Sequence, residues 1–170
     1  MNDKAFNKFI KPAKESEDIL KAMLHRNGFI VFMSGQENWM PKDIHKKIAY
    51  EYNDDMIRAI RYMPDFLAFH DRFPFAWWEV KRNTTPGTAN FTLEKACHTE
   101  GMARHAKGER VIIVYHDTND KFTAAWIQDL VVKIDKSNIR QKAKGSRTPY
   151  LLILKSSTVD LEVFLNRNTK

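Results

Sequence analysis

Two carboxylates and an ammonium interrupt the most apolar stretch of this chain, and any fold it adopts must account for them. The run Arg61 to Arg82 reads as two short strands, Tyr62 to Phe69 and Phe75 to Lys81, joined by a polar turn at His70, Asp71 and Arg72. Strand side chains alternate between faces, so Asp65 shares a face with Met63 and Leu67, while Glu79 and Lys81 share one with Trp77. A packed core would not select these groups, because a buried charge is costly unless it is paired or holds a metal.

Converging carboxylates suit a hard divalent cation, Mg²⁺ or Mn²⁺, that keeps several waters and accepts a phosphate oxygen. Lys81 lies two residues beyond Glu79 and is placed to meet charge developing on an attacked phosphate. Water activated by the ion would be the nucleophile, so the implied reaction is phosphodiester hydrolysis. The competing reading is a surface hairpin in which Glu79 and Lys81 pair only with each other.

Pro64-Asp65 followed by Glu79-Val80-Lys81 resembles the signature of the PD-(D/E)xK nucleases, the restriction-endonuclease-like superfamily. The resemblance implies an α/β fold, a mixed sheet flanked by helices. It also implies a metal held by Asp65, Glu79 and the Val80 carbonyl, with Lys81 stabilising charge or orienting water. The run Glu17-Asp18-Ile-Leu-Lys-Ala-Met-Leu is similar to the helix of phage junction-resolving endonucleases, whose glutamate completes the metal site, and makes Glu17 a third candidate carboxylate. The plain alternative for Glu17 is a first-turn acid favoured by the helix dipole.

The remaining segments fit one domain of 170 residues. A basic arm at 1–14 precedes a helix from Ser16, read as its N-cap, to the Asn27-Gly28 stop. Phe29 to Met33 is a strand. Residues 34–60 exceed the fold's minimum and read as an insertion, with a helix starting at Pro41. Phe91 to Ala106 reads as a helix whose Ala96, Cys97, Gly101 and Ala103 permit close packing. His98 and His105 lack partners at zinc spacing and read as surface residues of it. Arg110 to His116 reads as a buried central strand. Ala124 to Val132 is a short helix or a strand. Pro149 to Lys155 and Leu161 to Leu165 read as two closing strands.

Net charge is +7, which favours an anionic partner. The candidate DNA contacts are Arg82 and Asn83, leaving the catalytic strand, and Lys136, Arg140, Lys142, Lys144 and Arg147 in the basic loop 133–147, which would track a phosphate backbone or simply be solvated. Cys97 is the single cysteine, so no internal disulfide forms. With no membrane-span signal and no secretion signal, the expected protein is soluble and cytoplasmic. The expected function is a metal-dependent endodeoxyribonuclease, junction-selective or of homing or restriction type, and a homodimer by analogy. The alternative is a DNA-binding module with a degenerate nuclease fold.

Overall fold

The computed structural model describes residues 3–35, 41, 59–83, 90–133 and 149–169. Most of the predicted insertion, the loop after Asn83, and Lys136, Arg140, Lys142, Lys144 and Arg147 lie outside the described residues. In chain order the elements are α1 (Asp3–Arg26), β1 (Ile30–Met33), β2 (Phe66–His70), β3 (Phe73–Arg82), β4 (Asn90–Glu94), α2 (Lys95–Ala106), β5 (Val111–His116), β6 (Phe122–Trp126), β7 (Tyr150–Leu154), β8 (Val159–Asp160) and α3 (Leu161–Asn168).

A mixed six-stranded sheet runs β1-β2-β3-β5-β6-β8, and β4 pairs with β7 in a separate two-stranded sheet. β3 and β5 are parallel, with Glu79 opposite Ile113, Lys81 opposite Tyr115 and Arg82 opposite His116. Every residue of β5 is buried, as its continuous β-branched run requires of a strand covered on both faces. Alternation divides the core in two. Trp78, Val80, Ile112 and Val114 pack with Leu20 and Leu24 of α1 and Phe164 of α3, while Val111, Ile113 and Tyr115 pack with Cys97 of α2 and Phe91, Leu93 and Ile153 of the small sheet.

Several local expectations are corrected. Ser16 is not an N-cap, because α1 begins at Asp3 and runs through Pro12; the Ser16 hydroxyl instead donates to the Pro12 carbonyl at 3.0 Å. Gly28, at φ +84°, ends this helix in a conformation that glycine adopts without a Cβ penalty. The predicted helix at Phe91 is a strand up to Glu94, since Phe91 and Leu93 alternate inward against β7. The true helix is α2, where a Cβ on Gly101 would lie 2.1 Å from Ile127 Cδ1. Ala124 belongs to a strand that ends at Trp126 and passes into a 3₁₀ turn at Ile127–Asp129. Leu161 to Leu165 is helical, not a strand: Asp160 caps it by accepting from the Glu162 amide at 3.0 Å, and Leu161, Phe164 and Leu165 are buried at helical spacing. β7 therefore closes on β4 and not on a neighbour in sequence.

Candidate active site

β2 begins at Phe66, so Asp65 stands just ahead of the strand instead of within it. Its position is fixed from both sides. The amides of Ser34 and Gly35 donate to the Asp65 carbonyl at 2.9 and 3.2 Å, and the Ser34 hydroxyl donates to the Pro64 carbonyl at 2.6 Å. On the other side the Val80 amide donates to Asp65 Oδ2 at 2.7 Å.

That last bond follows from register. The Trp77 and Asn83 amides bond towards β5, to the carbonyls of Arg110 and His116. Even-numbered amides of β3 therefore face β2, and the last β2 partner is Phe66, opposite Trp78. At Val80 the Asp65 carboxylate takes the place of the missing strand, and the Val80 carbonyl points towards the same edge.

Glu79 is nearly buried, at 9 % relative exposure, and its Oε1 lies 2.5 Å from Lys81 Nζ. Burial, then the charges of Glu79 and Glu17, push the Asp65 carboxyl well above its ordinary 3.8, although Lys81 and the Val80 amide pull the other way. Burial alone would lower Lys81, but Glu79, with Cys97 and Asp65, outweighs it and raises the ammonium well above its ordinary value. Glu17 arrives from α1, on the opposite face of the sheet, and is close enough for its charge to act on Asp65. All four sequence-predicted residues thus occupy one electrostatic neighbourhood, at the end of β3.

The donor set fits a hard divalent ion. A buried carboxyl raised as Asp65 is, with a second carboxylate beside it, is relieved by a cation, and carboxylate oxygens are the ligands such an ion takes. Among the described residues no three His, Cys, Asp or Glu side chains are arranged to hold an ion by themselves. An ion that keeps most of its waters needs only one or two carboxylates, which Asp65 and Glu79 provide.

Arg82 turns to the other face. Its Nη1 contacts both nitrogens of His116, Nε2 at 2.8 Å, and lies 3.6 Å from Asp120. Asn83 donates its amide to the His116 carbonyl at 2.8 Å. His98 is half-buried on α2, and burial lowers its pKa.

Sequence reasoning missed Tyr115, His116 and Ser16. Tyr115 stacks on Phe91 with ring centroids 4.1 Å apart, and burial, with Glu79 and Cys97 adding to it, raises its hydroxyl against the pull of Lys81. No local signal marked them: Val111 to His116 is a continuous buried run, and only its parallel register with β3 places His116 beside Arg82 and Tyr115 beside Lys81.

The fold is restriction-endonuclease-like, as the signature implied. No family model matches the chain, and no curated protein matches its sequence. Among solved structures it is similar to Hjc, a Holliday junction resolvase of the archaeal hyperthermophile Archaeoglobus fulgidus, with TM-score 0.55 and 11 % identity over 91 % of this chain and 96 % of that one. A nuclease from a fusselovirus aligns with TM-score 0.45 and 12 % identity over 96 % of this chain and 90 % of its own. No helix among the described residues is long and apolar enough to cross a membrane.

Proposed function

We propose that this protein is a divalent-metal-dependent DNA endonuclease that hydrolyses phosphodiester bonds, with junction-type, structure-selective cutting. The observation that carries the reading is the convergence of Asp65, Glu79 and Lys81 at the end of β3, in a restriction-endonuclease-like fold, where Glu79 pairs with Lys81 and burial and then Glu79 raise the Asp65 carboxyl. Mg²⁺ or Mn²⁺ would be held by Asp65, Glu79 and the Val80 carbonyl, and would supply a water acidic enough to attack and a counter-charge for the phosphate. Asp65 is held for that task by the Val80 amide, and Lys81 by Glu79. The Lys81 ammonium, protonated throughout the working range, would stabilise charge on the scissile phosphate or orient the water.

The fold likeness to a Holliday junction resolvase makes a four-way junction the first substrate to test. Arg82, Asn83, Lys136, Arg140, Lys142, Lys144 and Arg147 are the proposed backbone contacts. A homodimer belongs to the same proposal, since cutting two strands needs two sites. Ile30, Phe32, Phe69 and Phe75, 42–57 % exposed, offer an apolar sheet face for a second copy to cover.

The test is plasmid nicking and junction cutting with Mg²⁺ and with EDTA. Wild type should cut only with the metal, and should prefer a junction to linear duplex of equal length. The Glu79–Lys81 ion pair is also what a non-cutting DNA-binding module would show, and such a module would bind equally with Mg²⁺ or EDTA and leave every strand intact. Preference for linear duplex would favour homing or restriction chemistry.

A further inference from the structure

Ser16 sits at 0 % exposure in the middle of α1 and His116 at 1 % at the end of β5. A buried polar pair of this kind, 100 residues apart in sequence, needs a reason. The contacts around the ring supply one. The Ser16 hydroxyl donates to the Pro12 carbonyl, and its Oγ lies 2.9 Å from His116 Nδ1. Arg82 Nη1 contacts both ring nitrogens, and Asp120 Oδ1 lies 3.2 Å from Nε2, so every polar edge of this buried ring is engaged. Phe122 stacks on the ring at 4.0 Å and holds its plane.

The pair therefore ties α1 to β5, and through the ring to Arg82, the residue immediately after Lys81 on β3. Apolar burial is non-directional, so a directional bond between buried polar groups adds a constraint on the register of α1 that Leu20 and Leu24 do not supply. The residue after Ser16 is Glu17, the acid whose charge reaches Asp65.

We propose that Ser16 and His116 form a clasp that sets the register of α1 and so aims Glu17 at the Asp65–Glu79 site. Both are positioning residues, and the assignment rests on the metal-dependent reading of that site. Of the site's carboxylates, Glu17 is the one borne by α1, so the effect of severing the clasp on the site is read against Glu17.

The experiment is calorimetric Mn²⁺ titration of the full chain, alongside junction cutting, for Ser16→Ala, Glu17→Gln and the double variant. Losing outer-sphere support typically weakens metal affinity about 10-fold. Each single variant should lose Mn²⁺ affinity on that order, and the double variant no more than Glu17→Gln alone, since coupled sites are non-additive. Two substitutions at His116 separate the arms of the clasp and serve if Ser16→Ala fails to fold. His116→Asn retains a hydrogen-bonding amide at the Nδ1 position, in reach of Ser16, and should keep the affinity; His116→Gln places its amide near Nε2 and should lose it. Additive losses, a folded Ser16→Ala with wild-type affinity, or identical His116 variants would overturn the clasp. Coupling in Mn²⁺ binding without any DNA cutting would uphold the clasp and remove the nuclease reading. Cutting without coupling would do the reverse, and wild type that binds no Mn²⁺ would end both.

Discussion

The two parallel central strands each end in buried polar groups, on opposite faces of one sheet, and the two clusters are solved differently. Towards α2, Glu79 and Lys81 pair at 2.5 Å, yet burial and then the Glu79 charge still hold the Asp65 carboxyl well above its ordinary value. Towards α1, His116 meets Ser16, Arg82 and Asp120 around one ring. A carboxyl kept in so costly a place implies that something else is gained, and here the gain is a place for a cation. The relieved cluster is a fastening, and the strained one is the site.

Breaking the strained cluster should have the largest consequence. Asp65→Asn and Glu79→Gln should each lower cutting by at least about 10²–10³-fold, the scale of losing a group that stabilises a charged transition state. Lys81→Ala should lose about 10²-fold with DNA binding retained in a gel-shift assay. Unchanged cutting by Lys81→Ala would take the lysine out of the mechanism.

The same cluster should be unstable without metal. Because the folded-state pKa of Asp65 is raised, the native protein holds that proton more tightly than the unfolded chain does. Stability therefore falls as pH rises from about 3.8 through the folded-state value. Asp65→Asn should raise the melting temperature of the metal-free protein at pH 7, and Mn²⁺ should stabilise wild type but not the variant. A lower melting temperature for Asp65→Asn would place the carboxylate in an ordinary structural bond.

The fastening should show the opposite slope. Burial, and then Arg82, lower His116 below 6.5, so its contribution is complete above that pH and is lost as pH falls below it. Denaturant melts between pH 5 and 7 should show this slope in wild type and not in His116→Gln. Behind both clusters, Gly101→Ala would press on Ile127 and should cost about 1–3 kcal/mol, read from the same melts; no loss would mean that Ile127 moves aside freely.

How much of this the sequence made legible depends on the reach of each interaction. β3 was readable because its alternation, broken by Glu79 and Lys81, is local. β4 was not, because the partner that makes Asn90–Glu94 a strand lies at Tyr150–Leu154, and small residues downstream extend the helical pattern into it. Leu161 to Leu165 looked like a strand on account of Val159 and Val163, although the capping Asp160 and the three- and four-residue spacing of its apolar side chains favour a helix. Ser16 was misread for a similar reason. A serine before acidic residues resembles a cap, and only the partner on β5 shows that it is a buried helix-interior contact. The candidate carboxylates were visible individually; the amides of Ser34, Gly35 and Val80 that hold Asp65 were not, since main-chain groups leave no mark in a sequence.

The most direct measurement is the single-turnover rate on a four-way junction at saturating protein, with Mg²⁺, for wild type and Glu79→Gln, with junction affinity measured separately in Ca²⁺. The account predicts equal affinity and a rate lower by at least about 10²-fold in the variant. Equal rates, or no cutting by wild type at any Mg²⁺ concentration, would contradict it.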